Sequence, residues 1–432
     1  MNNPHNEKFN SIVSVLSEQK ELSLYIHIPY CRVKCSYCNF YSLPVGNQSE
    51  NTQSIEKTCD RIFCEIDKAN SKYKKCFKTV FIGGGNPGIL SKSLLEKLLL
   101  KISENGVPSE VTVECNPENI NNDLISLFQR GLATRLSTGI QSLSENLLHI
   151  IGRNCTDVAT IRHALKNQKL ISRNWELNVD LIVGIPNQSF IDVKNDIDEI
   201  IEFVNPEHFS IYDLTYEPET PLYNKYINHL ETLQESSEEI LPVIWKYMKD
   251  IGYHQYEISN FARKTDNGNN DNFCKHNLQY WEMKPYLGIG PGSASTLFHE
   301  NRVLRIECKP NVLQYQSCTT SQFNNVYIVE PLDYTDYMKE KLIMGLRLFS
   351  GINLVQFERI FGIVLTEIIP QTINSTLQNK IMVIQDNRLK FSQNGILIMN
   401  TVLVDMFIEI ENYFSAHQVH NCLDLTAVFE LC

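Results

Sequence analysis

"LYIHIPYCRVKCSYC", residues 24–38, runs from a short apolar stretch straight into three cysteines held within eight residues. The stretch "LYIHI" (24–28) reads as a strand, so Cys31, Cys35 and Cys38 lie on the loop that follows it. Three thiols from one loop are one ligand short of a closed tetrahedral site. No CxxC or HxxxH partner lies nearby, and His27 belongs to the strand, which weighs against structural zinc. A 4Fe-4S cluster that only carries electrons takes four thiolates; with three, one iron is left to bind a further ligand.

Working outward, five more strand-like runs follow: "TVFIG" (79–83), "VTVEC" (111–115), "RLSTGI" (135–140), "LNVDLIVG" (177–184) and "FSIYDL" (209–214). Each is followed by a helix-like segment such as "SKSLLEKLLLKISEN". Runs this apolar and unalternating suit a parallel sheet covered by helices, and right-handed crossovers would curl six such βα units into part of a barrel. The fold class is therefore α/β, a partial (β/α)6 barrel. From about 221 to 330 the chain turns polar ("KTDNGNND") with a Gly-rich turn, "YLGIGPGSAS". From about 331 helical periodicity returns, broken by the strand-like "MVIQDNRLKFSQNG", as in a winged-helix-like, mainly helical domain.

In 432 residues, 43% hydrophobic and 21% charged, the composition is that of a soluble chain of two or three domains. No apolar run approaches the roughly 18 residues of a membrane span, and "MNNPHNEKFNSIVSV" lacks the features of a signal peptide, so a cytoplasmic location is expected. A net charge of −11 without a basic cluster excludes a nucleic-acid footprint. Of 13 cysteines, most of the ten outside the trio (Cys59, Cys64, Cys76, Cys115, Cys155, Cys274, Cys308, Cys318, Cys422 and Cys432) read as small packing residues.

In parallel α/β folds chemistry collects at the C-terminal strand ends, which is where the cysteines, "GGGNP" (83–87), Glu114, Asn116, Gln141 and Asp180 fall. Gly83, Gly84 and Gly85 read either as a turn needing positive φ or as bare backbone whose exposed amides hold an anionic head group.

The pattern "CRVKCSYC" with "GGGNP" after the next strand resembles the radical S-adenosylmethionine (SAM) superfamily, in which the free iron chelates SAM. Between about 22 and 410, "RLSTGIQSLSENLLHIIGR", "NVDLIVGIPNQ", "YEPETPLY", "YHQYEISNFA", "HNLQYWEMKPYLGIGPGSAS" and "KEKLIMGLRLFSGI" resemble the oxygen-independent coproporphyrinogen III oxidases and their haem-chaperone relatives. The resemblance implies four regions: an extension over 1–21, a radical SAM core over 22–220, a family-specific part with a haem motif over 221–330, and a helical domain over 331–432. It implies a 4Fe-4S cluster on Cys31, Cys35 and Cys38. It places Tyr25 and Tyr37 beside cluster and SAM, and Gly84, Gly85 and Asn86 at the SAM amino acid. Glu114, Gln141, Arg153 and Asp180 fall at polar contacts to SAM, the last three where the oxidase takes a second SAM. Two departures stand out: Asn86 replaces the usual threonine, and Cys155 in "GRNC" replaces histidine.

Phe40 stands where the oxidase carries a further cysteine, and only 24 residues precede Tyr25, both features of the HemW-type chaperone branch. That branch implies haem as carried ligand and respiratory haem proteins as clients, and leaves open a homodimer and peripheral contact with the inner face of a membrane. The oxidase, an enzyme of porphyrin biosynthesis, is the alternative. "HNLQYW" (276–281) matches the chaperone's haem motif and nominates His276 as a haem ligand beside Tyr280 and Trp281, with Cys274 a lesser candidate; the plainer reading is a loop-capping histidine with two core aromatics.

Overall fold

The computed structural model describes residues 15–46, 49–154, 156–169, 173–265, 272–318, 323–417 and 423–429. Six parallel strands carry it: β1 Ser23–Ile28, β2 Val80–Gly84, β3 Val111–Cys115, β4 Arg135–Gln141, β5 Glu176–Val183 and β6 His208–Asp213. They pair in chain order. Helices α1 Ser49–Tyr73, α2 Lys92–Ile102, α3 Asn122–Gln129, α4 Glu145–Ile150, α5 Val158–Lys169 and α6 Phe190–Val204 lie between consecutive strands. α2 shows why. Ser91 caps its start by accepting from the Leu94 amide, and Leu95, Leu98, Leu99 and Ile102 recur at helical spacing on the buried face. Each buried leucine contributes about 1.5–3 kcal/mol against exposure.

The polar region after about 221 extends this sheet at both edges. After α7 Leu230–Asp250, strands β7 Tyr253–Gln255 and β8 Asn260–Arg263 add antiparallel beside β6, and α8 Lys275–Trp281 follows. On the other side β9 Tyr286–Ile289 pairs parallel with β1, and β10 Ala294–His299, β11 Arg302–Cys308 and β12 Tyr327–Leu332 follow antiparallel. The order is β12-β11-β10-β9-β1-β2-β3-β4-β5-β6-β8-β7, and the described strands form no closed ring. "YLGIGPGSAS", read as a turn, therefore opens with a strand. Gly288 belongs to that strand because a Cβ there would lie 2.0 Å from the Ala294 carbonyl oxygen.

The C-terminal region is mainly helical, as expected: α9 Tyr334–Gly345, α10 Leu354–Phe361, α11 Pro370–Gln378 and α12 Met399–Ala416. With them goes a small antiparallel sheet of β13 Ile352–Asn353, β14 Met382–Gln385 and β15 Arg388–Phe391, which absorbs the strand-like stretch. Cys59, Cys115, Cys274, Cys308 and Cys318 are buried, in keeping with packing roles; Cys64 is exposed, a correction to that reading, and Cys76 is half-buried. Cys155, Cys422 and Cys432 lie outside the described residues. Among the described residues no helix is long and apolar enough to cross a membrane.

Candidate cofactor site

The C-terminal ends of β1 to β6 surround a cavity of about 410 Å³, and every residue assigned to cluster or SAM in the sequence lines it except Tyr25; Gly83 and the residues of "HNLQYW" do not. Cys31, Cys35 and Cys38 form one wall, each half-buried, with Tyr37 between them in the chain. Burial raises the Cys38 thiol above its ordinary value. Among the described residues no group of three or more His, Cys, Asp or Glu side chains is set to hold a single metal ion. The thiols instead face a common space large enough for a larger group, and Ser42, on the same wall, has a buried hydroxyl oxygen without a hydrogen-bond partner. Three thiols and an unsatisfied hydroxyl at one cavity fit a cluster with an open iron.

Two clamps hold the cysteine loop. On one side the turn after α4 grips it: the Ser36 amide donates to the Ile151 carbonyl (3.0 Å), and Gly152, at φ +68°, leaves room for the Ser36 side chain. Arg153 then reaches inward, donating to the Gly139 carbonyl (2.5 Å) and Asn116 Oδ1 (3.3 Å), with Nη1 4.0 Å from Cys35 Sγ. Cys155, the departure noted above, lies outside the described residues. On the other side His27 grips it. Its Nε2 bonds the Tyr41 carbonyl (2.8 Å) and its Nδ1 the Tyr25 hydroxyl (2.9 Å), while burial lowers its basicity. Tyr25 thus acts beneath the loop rather than in the cavity wall, and burial raises its phenol well above the ordinary range.

The glycine segment works differently from the expectation of exposed amides. The Gly84 amide donates to Glu114 Oε2 (3.2 Å), Gly85 to the Ile28 carbonyl (2.8 Å) and Asn86 to the Tyr30 carbonyl (2.7 Å). These amides are committed to the fold, because the segment runs hard against β1 and its continuation. A Cβ at Gly84 would lie 2.7 Å from the His27 ring, and one at Gly85 would lie 2.5 Å from the Tyr30 carbonyl oxygen. Asn86 is likewise a joint: its Oδ1 accepts from the Gly88 and Asn116 amides and its Nδ2 donates to Asn119. Bare backbone, not free amides, is what this segment presents to a ligand.

The far wall is acidic. Glu114 is pushed up to about 8, chiefly by burial and next by Asp180, against the opposing Gly84 N–H. Asp180 is also raised by burial, despite hydrogen bonds from Asn178 and Ser137. Gln141 ends β4 at φ +70° beside a β-bulge, a left-handed conformation held where its amide lines the cavity. Tyr212 and Asp213, not singled out in the sequence, complete this wall at the end of β6. The strand "FSIYDL" carried that signal, since strand-end polar groups were already the rule for its neighbours.

In the unfolded chain Glu114 titrates near its usual 4.5, so between that value and about 8 the native, ligand-free chain holds a proton the unfolded chain has lost. Its contribution is full below the lower value and is lost as pH rises through the upper one. Melting temperatures of Glu114→Gln should therefore fall less than wild type between about pH 5 and about pH 8. Parallel melting curves for the two proteins would contradict the assignment.

His276 is at the opposite end of the strands. The first turn of α8 docks where β2 to β5 begin: the Lys275 and His276 amides donate to the Glu110 carboxylate (2.9 Å each), and Arg135 pairs with Glu176 alongside (2.5 Å). The His276 ring is fully buried. Its Nδ1 meets Thr79 Oγ1 at 2.8 Å, and because that hydroxyl donates to Ser23, Nδ1 is the protonated nitrogen. Nε2 then accepts from the Tyr280 hydroxyl (2.8 Å). Burial drives its pKa down to about 3, so the imidazole is neutral. Tyr280 and Trp281 border a second, largely apolar cavity of about 270 Å³ with Met283, Tyr286 and Met344.

Two family models match the chain: the radical SAM superfamily over 25–200 and the HemN C-terminal domain over 332–398. The heme chaperone HemW of Escherichia coli is 33% identical over 298 residues, 66% of this chain and 72% of that protein. HemW of Lactococcus lactis is 29% identical over 405 residues, covering 91% of this chain and all of that protein. Radical S-adenosyl methionine domain-containing protein 1, mitochondrial, from Danio rerio is 27% identical over 93% of this chain and 90% of its own. Among solved structures, the coproporphyrinogen III oxidase HemN from E. coli, described as a radical SAM enzyme, superposes with a TM-score of 0.72 at 18% identity over 92% of both chains, a likeness of fold. With the three-cysteine cavity at the strand ends and these relatives along nearly the whole chain, the protein belongs to the radical SAM superfamily and, within it, to the HemW heme chaperone family.

Proposed function

We propose that this chain is a haem carrier that passes haem to apoproteins of the respiratory chain, with a 4Fe-4S cluster and SAM at the cysteine cavity governing release. Superfamily membership implies those two cofactors. The observation that carries the reading is the joint presence of that cavity and a separate aromatic pocket beside "HNLQYW", at opposite ends of the same strands. Phe40, 65% exposed, stands where the oxidase has its further cysteine, which favours the carrier over porphyrinogen chemistry.

Iron needs a neutral imidazole with a free lone pair. His276 has the right tautomer, and the Tyr280 hydroxyl covers its Nε2, so coordination requires Tyr280 to swing away. Anaerobically purified protein should bind about one equivalent of haem, with the Soret band lost or displaced in His276→Ala, and should activate a haem-free respiratory protein on mixing. Formation of protoporphyrinogen IX from coproporphyrinogen III, with SAM and a reductant and no haem retained, would establish the oxidase instead.

A further inference from the structure

We infer that Trp281 joins two halves of one site, an apolar pocket for a flat ring system and a basic cleft for its carboxylates, and that the indole N–H together with Lys284 takes a carboxylate there. The inference rests on the haem reading above and adds to it the part of the molecule that recognises acid groups. Trp281 ends α8 and is common to two hollows. On one side lie Tyr280, Met283, Tyr286 and Met344, aromatic and thioether surface suited to a flat apolar face. On the other lie Lys341 and Arg388, with Lys284 bordering both hollows and Glu282 the one carboxylate in the lining, at the junction with the C-terminal helical region.

Trp281 Nε1 is a buried donor with no hydrogen-bond partner among the described residues. A buried donor left unsatisfied costs about 1–3 kcal/mol, which an acceptor bound at that point would recover. The Arg347 guanidinium, 4.9 Å over the indole ring, fixes its plane. Lys284 and Lys341 are 7% and 6% exposed; Lys284 pairs with Glu282 (2.7 Å) and Lys341 donates to the Glu282 carbonyl (2.6 Å), so a bound carboxylate would share or displace the Glu282 contact on cations already drawn out of water. Arg388 donates to the Ser350 and Gly351 carbonyls, neutral acceptors that leave its charge in place. In a chain of net charge −11, three cations against one acid make this cleft an outlier in sign. A flat molecule with an apolar ring and carboxylate arms, such as haem with its two propionates, matches both halves at once; an apolar ligand without acids would fill only one.

The test is a Soret-band titration of the full chain with haem and with haem dimethyl ester, whose propionates are masked. Trp281→Phe keeps an aromatic ring and removes the donor; Lys284→Gln removes a charge. Each should weaken haem binding about tenfold, about 1.4 kcal/mol, and leave ester binding unchanged. Equal losses for haem and ester would show a general disturbance of the pocket and overturn the inference, as would unchanged haem affinity in both variants. Wild-type protein that binds haem while the variants match it refutes only this inference. Wild-type protein that binds neither compound refutes the haem reading and this one with it.

Discussion

Serine at Cys31, Cys35 and Cys38 together will leave the anaerobically prepared protein without iron and without visible absorption. Cys31, Cys35 and Cys38 are the half-buried thiols of the cavity; Cys115 also borders it but is buried with its thiol donating to the Asn116 carbonyl, and Glu114, Asn116, Gln141 and Arg153 offer only oxygen, amide and guanidinium groups. Iron in a cluster is held by thiolate, and hydroxyls do not replace it. The loop itself should survive, because its fixed points are the Ser36 amide and the Tyr41 carbonyl, neither of which the substitutions touch. Circular dichroism should match wild type while iron and sulfide assays read zero. Four iron per chain in the triple variant would end the assignment, and stoichiometric zinc in the wild type would replace it with a structural site.

Gly84→Val should fail more broadly, as a fold defect rather than a binding defect. The residue sits at φ +106°, where a β-branched side chain is strained by about 1–3 kcal/mol. Its Cβ would also press on the His27 ring, overpacking that costs about 1–3 kcal/mol more. His27 cannot retreat without releasing Tyr41 and Tyr25, so the cysteine loop loses its clamp as well. A lowered melting temperature in the cofactor-free protein is the expected result. A variant that melts like wild type and loses only SAM affinity would show that the glycine serves the ligand directly. Glu114→Gln is the gentler probe of that wall, since it keeps the shape of the side chain.

The six parallel strands were legible because most are apolar, β-rich runs each followed by helical periodicity, and the cysteines because they cluster within eight residues. Gln141 and Asp180 followed from strand-end topology and Arg153 from the family resemblance, and all three meet the cysteines although up to 149 positions separate them along the sequence. What was not legible depended on contacts between distant segments. The strand Tyr286–Ile289 looks like a turn because its glycine answers to Ala294 across a hairpin, not to local flexibility. The glycine segment looked like a source of free amides, but its partners, Glu114, Ile28 and Tyr30, come from neighbouring strands. The seat of α8 depends on Glu110, 166 positions before His276, and no local pattern announces a helix cap from that far away.

The placement of α8 against the strand starts has one more consequence. β2 carries Thr79 just before its first residue and Gly84 at its last, so a single strand about 17 Å long touches the His276 ring at one tip and the cysteine loop, through His27, at the other. Ligands bound at the two tips would not meet, and coupling between them would pass through the strand and its packed neighbours. On the proposed reading such a linkage would run both ways with equal strength: whatever a nucleoside at one tip did to the grip on a porphyrin, the porphyrin would do to the grip on the nucleoside.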